Sequence, residues 1–264
     1  MILDDLVAAT RAAVEGRMRA RPEATLRDRL ADAPSAPPLL PRLRAPGVGV
    51  IAEVKRASPS RGILNADLDP AALAAAYARA GADAISVLTE ESRFRGSLID
   101  LQGARRALDA AGYETPVLRK DFCLSRYQLV EARVAGASAA LLITAILDDR
   151  ALEALYRDAL DLGLTPLIEV HDAAELRRVL PLRPPLIGIN NRDLGNFSVD
   201  VGVTRRLRAF IPPEITVVAE SGIRTPEQMA ELARWGVDAA LIGEALVTAL
   251  DPAARLAELR EAGR

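Results

Sequence analysis

Two lysines stand out among the side chains able to move a proton. Of 34 cationic residues only Lys55 and Lys120 are lysine, and every other one is arginine. Arginine stays charged at any accessible pH, whereas lysine can have its pKa lowered and can give or accept a proton. A coding preference for arginine explains why lysine is scarce. It does not explain where the two survivors lie. Glu53 stands two residues before Lys55, so on a strand the two share a face, and Asp121 follows Lys120. Glu169 and Glu220 each end a largely apolar run, where a charge has either a partner or a task.

Other chemistries are thinly supplied. A single cysteine, Cys123, excludes an internal disulfide and a Cys-rich metal site; with no base beside it in sequence it reads as a small buried apolar residue. A single histidine, His171, excludes His-rich metal clusters, and it reads as a loop or helix-start residue with no part in catalysis. The formal net charge of −2 gives no basic field for a nucleic-acid backbone, and no block of like charge marks a tail. No apolar run reaches the roughly 18 residues of a membrane span, and the N-terminus opens with acids, unlike a basic targeting stub. The expectation is a soluble cytoplasmic protein with no membrane or nucleic-acid partner.

The elements that must carry these residues are legible from residue 47 onward. Short runs rich in Val, Ile and Leu, as in strands buried on both faces, occur at Val48–Val54, Ala84–Leu88, Pro116–Leu118 and Ala139–Ile143. Four more follow at Pro166–Val170, Pro185–Ile189, Ile215–Ala219 and Ala239–Ile242. Between them lie helix starts and glycine stops: Asp69-Pro70 to Gly81, Ser97 to Gly112, Ser125 to Gly136, Asp149 to Gly163 and Thr225-Pro226 to Gly236. The phrases Gly-Ala-Asp-Ala at 81–84, Gly-Ala-Ser-Ala at 136–139 and Gly-Val-Asp-Ala at 236–239 each close a helix and open a strand.

Eight βα units in series close into a (β/α)8 TIM barrel, here 47–264. The open doubly wound sheet is the alternative, but no Gly-x-Gly-x-x-Gly follows the first strand. Residues 1–46 fall outside the repeat. Ile2, Leu6, Ala9, Ala13 and Val14 form an apolar stripe, a second short helix begins near Thr25, and Ala33–Pro38 reads as an extended connector. This predicts an N-terminal helical extension packed on the barrel, whose deletion leaves a cooperative barrel with weakened substrate binding.

Active sites of such barrels lie at the C-terminal ends of the strands. The residues there are Glu53 and Lys55, Thr89 and Glu90, Lys120 and Asp121, Thr144, Glu169, Asn190 and Arg192, Glu220 and Ser221, and Gly243 and Glu244. Both lysines are among them. A purely structural ion-pair layer of Glu53, Lys55, Lys120, Glu169 and Glu220 is the alternative to catalysis. Ser221-Gly222 after the seventh strand and Gly243-Glu244 after the eighth sit where many barrels bind a phosphate through backbone N–H groups. Glu244 is an awkward neighbour for an anion, so its side chain is expected to turn away, and Gly243→Val to raise KM by blocking backbone approach.

The run Ile51-Ala52-Glu53-Val54-Lys55-Arg56-Ala57-Ser58-Pro59-Ser60 resembles the first-strand signature of indole-3-glycerol phosphate synthases. Leu88-Thr89-Glu90, Phe94-Arg95-Gly96-Ser97, Arg119-Lys120-Asp121-Phe122, Ile168-Glu169-Val170, Gly188-Ile189-Asn190-Asn191-Arg192-Asp193-Leu194 and Ala219-Glu220-Ser221-Gly222-Ile223 follow in family order. The resemblance spans essentially the whole chain, departing at residues 31–46 and at Glu244, where some members carry Ser.

The resemblance implies a carboxy-lyase of tryptophan biosynthesis that needs no metal or organic cofactor. Its phosphosugar substrate, 1-(2-carboxyphenylamino)-1-deoxy-D-ribulose 5-phosphate, would be closed to indole-3-glycerol phosphate with loss of CO2 and water. By similarity Lys120 is the general acid on the carbonyl oxygen and Glu169 the base in dehydration. Glu53 and Asn190 hold sugar hydroxyls and help proton traffic, with Glu53 a competitor for the acid–base work. Lys55 and Arg192 supply positive charge. Ser58, Ser221, Gly222 and Gly243 surround the phosphate, Glu220 and the Glu244 backbone complete the substrate contacts, and Phe94, Phe122 and Leu194 line an aromatic pocket. The expected assembly is a monomer or weak homo-oligomer. Two other classes stay open. An isomerase of a neighbouring step would favour a Cys/Asp pair at the strand ends, and a non-catalytic phosphosugar-binding barrel would bind without turnover.

Overall fold

The structure is a computed structural model that describes residues 2–264 without the Ile2 side chain, so Ile2's place in the apolar stripe lies outside the described residues. Eight parallel strands form a closed barrel: β1 (Gly49–Val54), β2 (Ala84–Leu88), β3 (Val117–Lys120), β4 (Ala139–Ile143), β5 (Thr165–Val170), β6 (Leu186–Asn190), β7 (Thr216–Glu220) and β8 (Ala239–Ile242). Closure is at β1, where Ile51 pairs with Ala84 of β2 on one side and Leu241 of β8 on the other. The third strand runs two residues past the end of its apolar run. Arg119 lies in it fully buried, its guanidinium held by Asp121, Glu131 and the Gln128 carbonyl.

The period-2 alternation of side chains decides what reaches the active end. Outward residues such as Val50, Ala52, Val87, Ile168, Ile187, Val217 and Ala240 pack beneath the helices. Inward residues start small or aliphatic at the strand beginnings, as Ile51, Ala84, Ala139, Leu186 and Ala239 do. Continuing the same parity upward brings Glu53, Lys120, Glu169, Asn190 and Glu220 to the inner face at the strand ends.

Helix starts are fixed by side-chain oxygens on otherwise unpaired N–H groups. Asp69 accepts from Ala71 and Ala72 at the head of the Pro70–Arg79 helix, and Thr225 with Gln228 makes a capping box on Pro226–Arg234. Ser125 stands at the expected start of its helix but makes no cap bond. Gly136 closes the Arg126–Val134 helix at φ +89, and a side chain there would strike Arg105 and Pro34.

The extension wraps the barrel from mouth to floor. Helix α1 (Ile2–Ala20) buries Leu6, Thr10 and Val14, while Ala9 and Ala13 face outward, so the stripe is shifted from the expected one. Four-residue steps through Thr10 keep the larger Leu6 and Val14 inside. Val14 and Leu26 pack on Tyr127, Val130 and Val134, and Arg17 Nε donates to Glu131 at 2.8 Å. Leu3 and Leu6 reach the strand C-terminal ends. At the opposite end the short helix Leu40–Leu43 covers the strand beginnings. Arg42 donates to the Glu114 carbonyl before β3 and Arg44 to Thr216 Oγ1 at the start of β7. Leu39 and Leu43, each 1% exposed, join the interior cluster of Ile51, Ala84 and Ala239. Among the described residues no helix is long and apolar enough to cross a membrane.

The deletion expectation changes accordingly, because residues 39–43 are part of the barrel's floor. Leu43→Ala should cost about 2–5 kcal/mol in urea unfolding, the scale of a buried Leu truncation. Removal of 1–46 should cost cooperativity as well as binding. A Leu43→Ala loss within experimental error of zero would return the floor to the status of a loose cover.

Candidate active site

The inner residues at the strand ends surround one cleft, lined by the candidates from Glu53, Lys55 and Ser58 through to Gly243 and Glu244, while Thr89, Glu90 and Thr144 stand behind it. Lys120 Nζ stands 3.0 Å from Glu169 Oε2 and 3.2 Å from Glu220 Oε2, with both carboxylates almost fully buried. Asn190 Nδ2 donates to the other Glu169 oxygen at 3.1 Å, and Asn190 Oδ1 accepts from the Arg192 amide. Lys55, just past the end of β1, pairs with Glu53 at 2.5 Å. The ion-pair layer foreseen as an alternative to catalysis is therefore present, and it faces an open cleft.

Burial and charge push these groups in opposite directions. Burial alone would lower the Lys120 ammonium, but Glu169, Glu220 and Glu53 outweigh it and hold the proton more tightly than in a free lysine. Burial also works against Glu169, yet Lys120 and then His171 overturn it and hold that carboxyl well below the usual range. Glu220 has no second cation. Burial dominates there, Lys120 offsets only part, and Glu169 repels a second negative charge, so Glu220 is pushed up to about 8. The two carboxylates on either side of one ammonium are thus pushed apart, Glu169 toward the ionised form and Glu220 toward the protonated one. Gly188 leaves the room Glu220 needs, since a side chain at 188 would run into its Oε1.

The walls differ in character. Phe94 and Phe122, with ring centroids 6.4 Å apart, stand with Leu194, Leu3 and Leu6 on the apolar side. Glu90 is committed to that wall: its carboxylate accepts from the Ser92, Arg93 and Phe94 amides and so fixes the loop that carries Phe94. Thr89 and Asp121 bond each other beneath it at 2.6 Å, and Thr144 is buried at the head of a 3-10 turn. On the polar side Ser221 and Gly222 both take left-handed φ angles, 65 and 83, which turns the backbone into the cleft. Arg192 bridges the mouth, donating to the Phe197 carbonyl at 3.1 Å and to Ser60 Oγ at 3.3 Å.

Three positions depart from the sequence reading. Glu244 does not simply turn away: its Oε1 lies 3.0 Å from Arg224 and 3.4 Å from Arg61, so two arginines neutralise it. A side chain at Gly243 would strike the Glu53 carboxylate and the Lys55 ammonium, so Gly243→Val disturbs the Glu53–Lys55 pair as well as any phosphate. His171 is no mere loop residue. It stands half-buried behind Glu169 and in contact with it. Leu3, Leu6 and Arg224 are further lining residues not foreseen; Leu6 had its place in the apolar stripe as a signal, and Arg224 had none. Cys123 is fully buried and its thiol is pushed up to about 12 by burial, which takes the thiol away from a Cys/Asp isomerase reading.

A family model described as indole-3-glycerol phosphate synthase matches residues 3–259. An indole-3-glycerol phosphate synthase of Streptomyces griseus subsp. griseus is 47% identical over 262 residues, covering 99% of this chain and 96% of the relative. One from Nocardioides sp. is 49% identical over 251 residues, 95% of each chain. Among solved structures, the tryptophan synthase alpha chain of Legionella pneumophila subsp. pneumophila superposes with a TM-score of 0.61 at 16% identity, over 89% of this chain and 96% of that one. Thiamine phosphate pyrophosphorylase from Pyrococcus furiosus gives 0.61 at 17%, over 83% and 96%. Likeness at those identities bears on the fold alone.

The raised Glu220 pKa makes a stability prediction with a definite sign. Its stabilising contribution is complete below the unfolded carboxyl pKa and is lost as pH rises through about 8, because the folded state resists ionisation. Glu220→Gln removes that penalty. The Tm difference between variant and wild type should shift in the variant's favour by about 3 °C or more between pH 5 and pH 8.5, the shift of about 1 kcal/mol in a domain of this size. A gap constant with pH would show that Glu220 ionises normally.

Proposed function

The chain belongs to the indole-3-glycerol phosphate synthase family, and we propose that Lys120, Glu169 and Glu220 form its acid–base centre. It is a decarboxylating carbon–carbon lyase of tryptophan biosynthesis. It closes 1-(2-carboxyphenylamino)-1-deoxy-D-ribulose 5-phosphate to indole-3-glycerol phosphate, releasing CO2 and water.

The observation that carries the residue assignment is the ammonium of Lys120 held between two carboxylates of opposite protonation state. As it stands Lys120 is a poor acid, because the ionised Glu169 favours its charged form. A ketone oxygen that enters between them takes over as hydrogen-bond acceptor and receives the proton. The carbonyl carbon then accepts the electron pair of the ring carbon that bears the carboxylate, and the new carbon–carbon bond leaves an iminium-like cation. Loss of CO2 returns electrons to that cation and restores the aromatic ring, so the substrate's own nitrogen serves as electron sink. In the last step the hydroxyl leaves as water with a proton from an acid, and a base removes a proton from the five-membered ring. Glu169, held ionised, is that base. Glu220, protonated at neutral pH and 3.2 Å from Lys120, restores the proton that Lys120 gives up.

The remaining roles follow the walls. Phe94, Phe122 and Leu194 take the aromatic ring, with Leu3 and Leu6 of the extension closing its outer side. Ser58, Ser221, Gly222 and the backbone at Gly243 and Glu244 take the phosphate, and Lys55 and Arg192 supply charge to the substrate's anionic groups. Glu53 and Asn190, each bonded to a neighbouring charged residue, hold the sugar hydroxyls. Residues 1–46 belong with the barrel, serving both its mouth and its floor. The enzyme is cytoplasmic, works on the free phosphosugar, and is a monomer or weak homo-oligomer; its near-neutral charge gives no pull toward a polyanion.

The composition supplies its own control, since arginine is what this chain uses almost everywhere for positive charge. Lys120→Arg should lower kcat by roughly 10²-fold or more with little change in KM, because guanidinium does not release a proton at working pH. Lys55→Arg should be milder. Steady-state kinetics, read by fluorescence of the indole product, would contradict the assignment if Lys120→Arg stayed active or the ranking reversed.

A further inference from the structure

His171 lies two residues beyond Glu169 on the continuation of β5, and its side chain, 13% exposed, is held between two carboxylates. Nδ1 meets Glu175 Oε2 at 3.0 Å, and the same oxygen accepts the His171 backbone N–H at 2.8 Å. Glu175 is itself fixed at the head of the Ala173–Val179 helix, where Asp172 caps the Ala174 and Glu175 amides. On the other side Nε2 stands 3.2 Å from Glu169 Oε1, an ion pair too bent for a hydrogen bond. The ring does not line the cleft. It touches the back of the carboxylate whose front touches Lys120.

The charged groups in ion-pair contact with the ring are Glu169 and Glu175. From β4 the neighbour of Glu169 in register is Ile143, and from β6 Asn190 meets Glu169 without a charge. Lys120 stands beyond Glu169 and Glu220 beyond Lys120. Glu169 therefore has two cationic neighbours, one on each side. This matters when Lys120 hands its proton to substrate. A buried carboxylate left without a cation takes up a proton, and it can then no longer act as a base. A charge behind Glu169 that takes no part in the proton transfer prevents this.

We propose that His171 is a positioning residue for Glu169: an imidazolium clamped by Glu175 that fixes the Glu169 carboxylate and keeps it ionised through the step in which Lys120 becomes neutral. The inference rests on the reading of Glu169 as the dehydration base. Burial opposes the charge on the ring, but Glu169 and Glu175 overturn that and push it up to about 10, so it is charged throughout the working range. Its contribution is present below the ordinary histidine pKa and is lost only as pH rises through about 10.

Because this is the chain's only histidine, its ring gives a single resonance that needs no assignment. In wild-type protein carrying labelled histidine, that resonance should stay in its charged position past pH 8, and in Glu175→Gln it should titrate lower. Titration of the wild-type ring near the ordinary value of about 6.5 overturns the proposal. His171→Gln should lower the single-turnover rate about tenfold with KM nearly unchanged, and should move the acid limb of the rate profile to higher pH, because Glu169 loses a cation. Unchanged rate and unchanged limb in His171→Gln, beside an inactive Glu169→Gln, also overturn it. An active Glu169→Gln instead removes the base reading on which the proposal stands. Should His171→Gln fail to fold, Glu175→Gln gives the same decision: a lowered ring titration with a slower, limb-shifted rate supports the clamp, and wild-type kinetics reject it.

Discussion

An ammonium group buried between two carboxylates at the top of a closed barrel is a demanding arrangement. Moving three ionisable groups out of water is costly, and their mutual attraction offsets that only where the geometry is good and the remaining polar atoms are satisfied. Here three ionisable groups share two negative charges at most, and the structure resolves the conflict unequally. Glu169 has Lys120, His171 and Asn190 around it and stays ionised. Glu220 has Lys120 alone, leaves one oxygen unpartnered, and keeps its proton. Two chemically identical side chains are thus driven toward opposite protonation states by their surroundings.

The rest of the barrel serves that arrangement. Small inward residues at Ala84, Ala139 and Ala239 leave the floor to be filled by Leu39 and Leu43, which fold in from the extension. Gly188 leaves the volume that the Glu220 carboxyl occupies, and Gly243 does the same for Glu53 and Lys55. On the outer face of β3, Arg119 points away from Lys120 and is buried beneath a helix, where Asp121 and Glu131 neutralise it. Glu131 also receives Arg17 of the extension, so the strand that carries Lys120 is anchored to the segment that closes the mouth. The extension is consequently bound into the architecture at both ends of the barrel.

Much of this was legible in the sequence. The Val, Ile and Leu runs with explicit helix caps between them gave the strand count and the barrel, because burial on both faces and backbone capping are local demands. The survival of two lysines among arginines singled out Lys55 and Lys120, and the C-terminal ends of the strands placed Glu53, Glu169, Asn190 and Glu220 at the barrel mouth with them. The apolar stripe of the first helix was visible, although its centre was misplaced by the alanines, whose small side chains are as easily left in water as buried.

What remained hidden depended on groups brought together by closure of the ring. Lys120 meets residues 49 and 100 positions away, and no spacing rule relates them. Glu169 and Glu220 have the same standing in the sequence, since their difference in protonation arises from one extra cation and one missing hydrogen bond in space. His171 read as a loop residue because its partners are a strand end and a helix start that only the fold turns toward each other. Leu39 and Leu43 lay beside a connector with no period to mark them, and they are core residues only because a barrel has an open floor to fill. The sequence by itself determined which residues reach the mouth, through rules that act over a few residues of chain. The tertiary structure decided which of them hold a proton, because that depends on the charge and burial contributed by distant segments.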